Sequence, residues 1–117
     1  SEAETSFQQA VEAFNSSNLD LAIDLFKTMV SLNPDHADAY DYLGQAYFKK
    51  EEYQDSVDSF NKALEIQSNH TQAKTNLGVA QWKLENVNKT VSESVENIEN
   101  INQGTSQGTL SKLYVNF

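Results

Sequence analysis

Apolar residues recur along this chain at helical spacing, in short blocks separated by polar turns. In the stretch 37–70, Tyr40, Leu43 and Tyr47 step by three and four, and so do Ala39, Leu43 and Ala46. That is one face of a helix. After a polar break at 49–52, Val57, Phe60 and Leu64, with Ser56, Phe60 and Ala63, mark a second helical face. Two antiparallel helices joined by so short a turn cross closely near it. Gly44 stands where the backbones approach, and Ser56 is the small residue expected to face it. A large side chain at Gly44 would overpack the crossing at a cost of roughly 1–3 kcal/mol.

The same pattern returns in weaker form at a spacing of 34 on either side. In 3–36, Ala10 takes the Gly44 place, Ala22 that of Ser56, Phe26 that of Phe60 and Met29 that of Ala63. Phe7, Ala10, Val11 and Phe14 predict the first helix. Asn18 is placed to cap the second, which carries Leu19, Ala22, Ile23, Phe26 and Val30 and ends before Pro34. In 71–104, Leu77 and Gly78 repeat Leu43 and Gly44, and Ala80 repeats Ala46. Further on, the frame puts Thr90, Ser94 and Asn97 at the core positions, while the apolar Val91, Val95 and Ile98 fall one place later. A shift of one residue turns a helical face by about 100°. A one-residue insertion in a turn near 85–88 accounts for it, as does a last helix that packs differently. The first account predicts six helices over 3–103, with turns near 15–18, 33–36, 49–52, 67–70 and 84–88. Leu43, Tyr47, Phe60, Ala63, Leu77 and Phe26 are then core, Val91, Val95 and Ile98 turn inward, and Gly104 stops the last helix. In 105–117, Leu110, Leu113, Tyr114 and Phe117 fit a helical face, and Leu113, Val115 and Phe117 fit strand alternation. The expectation is that this tail caps the third repeat or enters a neighbouring molecule's groove.

The order Tyr40, Leu43-Gly44, Tyr47, then Ser56, Phe60, Ala63 within 34 residues resembles the tetratricopeptide (TPR) repeat. Repeat 1 departs from the family at Ser6 and Gln9, where bulky residues are expected. The resemblance implies an all-α, right-handed solenoid of three antiparallel helix pairs over 3–104, followed by the tail 105–117. It implies a non-catalytic module that binds a peptide or helix of a partner protein. The family's first helices line a concave groove. Carried onto this chain, the groove positions include Phe7, Val11 and Phe14, then Asp38, Asp41, Gln45 and Phe48, then Thr75, Val79 and Trp82. One family subtype grips a partner's C-terminal carboxylates with Lys, Asn and Arg. The corresponding places here hold Phe7, Val11, Tyr42, Gln72 and Asn76, so that clamp is absent. Phe14, Phe48 and Trp82 recur every 34 residues and read as an aromatic ladder along the groove, or as partly inter-repeat core. Asp38 and Asp41 add negative charge. The alternative function is a self-associating structural scaffold or assembly factor whose tail engages a neighbouring subunit.

Charge narrows the partners. The 117 residues carry a net charge of −9, which argues against nucleic acid and suits an apolar partner with positive charge. All eight basic residues are lysine, so bidentate guanidinium clamps are unavailable. No apolar run is long enough to span a membrane. With no cysteine, thiol nucleophiles and zinc ribbons are excluded. No nucleophile elbow, phosphate loop or zinc-protease motif occurs, so no catalytic residue, metal ligand or cofactor is expected. His36 and His70 share one repeat position, 34 apart, and read as turn or cap residues behind the N-caps Asp35 and Asn69. Glu51, Glu52, Asp55 and Asp58 suit the positive end of a helix.

Overall fold

The computed structural model describes the backbone of residues 2–106 and the side chains of 5–100. Among these residues there are five helices and no strand: α1 (Glu2–Asn15), α2 (Leu19–Leu32), α3 (Ala37–Lys49), α4 (Tyr53–Ile66) and α5 (Thr71–Ser106). The first four expected turns form where the polar breaks place them. The tail expectations for Leu110, Leu113, Tyr114 and Phe117 lie outside the described residues.

The turns that close the first two pairs repeat in detail. The Ser17 and Asn18 amides bond the Phe14 and Ala13 carbonyls, and 34 places on the Glu51 and Glu52 amides bond those of Phe48 and Tyr47. This is the Schellman pattern, which needs a left-handed residue after the helix end. Ser17 (φ 62°) and Glu51 (φ 63°) take that conformation without being glycine. A side chain there is strained by about 1 kcal/mol or more. Glu51→Gly should therefore raise stability by up to about 1 kcal/mol, read as a higher urea midpoint at an unchanged slope. Asn18 sits at the N-cap of α2, as expected, but its side chain makes no capping bond.

The chain divides into two units, Ser1–Leu84 and Glu85–Phe117. In the first, α1 pairs with α2, α3 with α4, and α3 also packs on α2 and α1. One core cluster joins Ala10 and Phe14 of α1, Ala22, Ile23 and Phe26 of α2, and Ala39, Leu43 and Ala46 of α3. A second joins Val57 and Phe60 of α4 to Ala80 of α5, with Phe48, Leu77 and Leu84 against it. Small residues on the first helix of each pair admit one large ring from the second. At Gly44 this is literal: an added Cβ would lie 2.6 Å from the Phe60 ring, and the Ser56 hydroxyl donates to the Gly44 carbonyl at 2.7 Å. Leu43, Phe60, Ala63 and Phe26 are buried as expected, while Tyr47 and Leu77 are half-buried.

The third repeat departs from expectation. No turn forms at 84–88; α5 runs unbroken from Thr71 to Ser106, through Gly104, which therefore does not stop it. No separate sixth helix forms among the described residues. Val91, Val95 and Ile98 do not turn inward: each is about half exposed, and Ser94 and Asn97 are exposed with them. Local composition does not decide this: 85–88 holds Glu, Asn, Val and Asn, with neither proline nor glycine, but the turns at 15–18 and 49–52 lack both as well.

Candidate functional site

Within the first unit, the first helices of successive pairs stand side by side. The link between α1 and α3 is a cluster of rings. Tyr42 stacks on Phe26 (5.4 Å, 6°) and meets Phe7 and Phe14 edge-on at 5.7 and 5.5 Å. Phe7 also stacks on His36 at 5.0 Å. Between α3 and α5 the link is polar. Asp41 accepts from the Gln45 amide at 2.8 Å and from the Asn76 amide at 3.3 Å. Burial pushes the Asp41 carboxyl up from its ordinary 3.8, and the Gln45 and Asn76 bonds oppose that rise.

The two histidines settle the helix starts. His36 Nδ1 accepts from the Ala39 amide and His70 Nδ1 from the Ala73 amide, each at 3.1 Å. The histidines, not Asp35 and Asn69, are the caps, because the ring nitrogen reaches the third amide of the helix. Since His70 Nδ1 accepts, Nε2 carries the hydrogen and donates to Asp38 Oδ1 at 2.7 Å. The spacing of 34 between the two histidines was the signal for a shared structural task. Among the described residues no group of His, Asp or Glu is arranged to hold a metal ion.

The expected groove residues fall into three environments. Phe14, 7% exposed, is part of the core, under Tyr42, with the Lys49 ammonium 4.4 Å from its ring centre. Phe7 and Val11 are half-buried against the same core. Asp41, 2% exposed, lies beneath the surface as an acceptor, whereas Asp38 is exposed. Gln45 and Phe48 are half-buried; Thr75, Val79 and Trp82 are exposed, Trp82 by 62%. Among the three aromatic positions expected to form a ladder, exposure rises from Phe14 through Phe48 to Trp82. The residue that covers Phe14 is Tyr42; its equivalent beside Phe48 is the smaller Asn76, so Phe48 stays partly open. Sequence reading passed over Tyr42 and Asn76 as contacts, although both occupy one repeat position.

Gln45, Phe48, Lys49, Phe60, Asn76 and Val79 line a cavity of about 150 Å³. Cofactor and drug-sized sites run to about 300–1,000 Å³, so this space suits a single side chain. A larger open depression of about 360 Å³ follows the seam between α2 and α4, floored by Tyr40, Leu43 and Tyr47. Its rim carries two lysines and two aspartates (Lys27, Asp55, Asp58, Lys62), and it collects no set of convergent groups.

The Asp41 shift has a defined sign. The folded chain holds this proton to a higher pH than the unfolded chain, so the contribution of Asp41 to stability is fully present below 3.8 and is lost as pH rises through the raised folded value. Asp41→Asn should remove that component, flattening the urea midpoint against pH across the interval.

The model of the tetratricopeptide repeat matches residues 7–71. The chain belongs to the tetratricopeptide-repeat family. Solved TPR structures share its fold. It is similar to the TPR2B domain of yeast Sti1, solved as a complex with pHsp70, at 22% identity and a TM-score of 0.69, covering 97% of this chain and 93% of that one. The MamA protein matches at 22% identity and a TM-score of 0.68 over 90% of this chain; that match spans 57% of the MamA chain. A TPR domain protein from Salinibacter ruber matches at 26% identity and a TM-score of 0.58, over 73% of this chain and 98% of that one. No curated protein matches the sequence. Among the described residues, no helix of this TPR chain is long and apolar enough to cross a membrane.

Proposed function

We propose that this chain is a non-catalytic TPR interaction module that binds an extended or helical segment of a partner protein across α1, α3 and the start of α5. One observation carries the reading: the small cavity beside Phe48 is lined by the exposed Val79, an apolar anchor site flanked by the amides of Gln45 and Asn76. The likeness to a TPR domain solved with pHsp70 supports a protein partner. The positions that clamp carboxylates in one TPR subtype hold Phe7, Val11, Tyr42, Gln72 and Asn76, so the partner is gripped by apolar side chains instead. Phe48, Val79 and Trp82 anchor it, Gln45 and Thr75 offer hydrogen bonds, and Phe7, Val11 and Phe14 form the closed end. Asp38, supported through His70, and the net charge of −9 favour a partner segment with positive charge. Asp41 acts from below by holding Gln45 and Asn76.

Peptides selected from a random library by the 117-residue chain test this. They should be rich in large apolar residues with lysine or arginine. Asp38→Asn should slow association with such a peptide and flatten its salt dependence, because exposed charges act through steering, with little change in dissociation rate. Selection of acidic peptides, or of none, contradicts the reading.

A further inference from the structure

Three observations on the third repeat point the same way. The left-handed turn residue recurs at Ser17 and Glu51, 34 apart. The next place in that series is Glu85, and it lies inside α5, where it escapes the strain the other two bear. Gly44 and Gly78 are likewise repeat equivalents. An added Cβ at Gly44 would meet the Phe60 ring at 2.6 Å, whereas one at Gly78 meets nothing within 4 Å. Finally, Val87, Val91, Val95 and Ile98 form an exposed stripe along one side of α5. At about 100° per residue, Lys89, Glu93 and Glu96 fall away from that stripe. Most helical stability comes from packing an apolar face, so a stripe of four branched side chains requires a cover.

We propose that the cover is a second copy of this chain, in a reciprocal exchange. Residues 85–100 of one copy pack over the Gly78 face of its partner, as the second helix of the third repeat. What fits beside Gly78 is a helix with the relation to it that α4 has to Gly44. The chain encodes one at the right place in the repeat, as the downstream part of an unbroken α5. A second copy supplies the same helix with no new sequence. Because each copy gives and receives one, the contact is isologous and closes at two. The flanks of the stripe are mostly uncharged, with Asn88, Thr90, Ser92, Ser94 and Asn97 beside the single acid Glu99, so little of the net charge of −9 falls at this contact. This inference stands apart from the groove reading, since it uses neither Phe48 nor the cavity beside it.

Sedimentation equilibrium of the whole chain tests it. The mass should rise with concentration from 13.1 kDa to twice that value and stop there. Val91→Asp with Val95→Asp should abolish the dimer. Gly78→Leu, which fills the receiving site, should weaken it about tenfold or more, while circular dichroism of the dilute protein stays helical. Glu85→Gly, which removes the strain of the turn, should shift the balance toward monomer about fivefold. A monomer at every concentration overturns the proposal. So does a dimer that is lost with the aspartates but indifferent to both Gly78→Leu and Glu85→Gly, because the stripes then pair with each other. A dimer lost only on deleting 105–117 also overturns it and assigns the contact to the tail.

Discussion

Phe60→Ala should lower the free energy of unfolding by about 3–5 kcal/mol, the range for removing a buried ring. Phe60 is almost fully buried, and its ring occupies the space that Gly44 leaves by having no side chain. It also belongs to the cluster that joins α4 to Ala80 of α5. Gly44 has no side-chain atoms to fill the space, and Ser56 is held by its 2.7 Å bond to the Gly44 carbonyl. A small domain has about 5–15 kcal/mol in all, so this one change removes a large share. Chemical denaturation at fixed dilute concentration measures it. A loss near 1 kcal/mol would mean that α3 and α4 do not cross where the Gly44 contact puts them.

Phe48→Ala combined with Trp82→Ala should weaken binding of a selected peptide by about a hundredfold, as loss of two aromatic anchors does, while leaving the chain folded. The two rings are not alike. Trp82 is mostly exposed, whereas Phe48 meets Tyr53 at 5.3 Å and packs against the Val57–Phe60 cluster. Phe48→Ala alone should therefore cost some stability as well as affinity, and Trp82→Ala affinity alone. Isothermal titration with each single and the double variant separates the two contributions. Normal binding by the double variant, or its unfolding, would remove these rings from the recognition surface.

The pair α3–α4 was legible in the sequence because its periodicity, its Gly44 and its polar break all agree. The pair α1–α2 followed by its spacing from that unit. The third repeat was legible only in its first half. Apolar spacing says which residues share a helical face, but not whether a turn interrupts the helix. That depends on whether Glu85, or the chain 34 places earlier at Glu51, can bear a left-handed backbone. Tertiary packing decides the matter, and it is invisible in one stretch of sequence. The candidate groove positions could be listed from the sequence, but their exposure could not. Tyr42 and Asn76 share a repeat position, yet one covers Phe14 and the other binds Asp41 and leaves Phe48 partly open. Side-chain size at that one place makes the difference, and Asp41, which reads as a surface acid, is drawn under by its two amide partners.

Trp82 is the sole tryptophan of the chain and belongs to the proposed recognition surface, which makes its fluorescence the most direct test of peptide binding there. The measurement is iodide quenching of Trp82 in dilute protein, with and without a saturating library-selected peptide. A peptide seated over Val79 and Trp82 should shift the emission to shorter wavelength and lower the quenching constant severalfold, as burial of an exposed indole does. Saturable binding that leaves Trp82 as accessible to iodide as before would contradict the account.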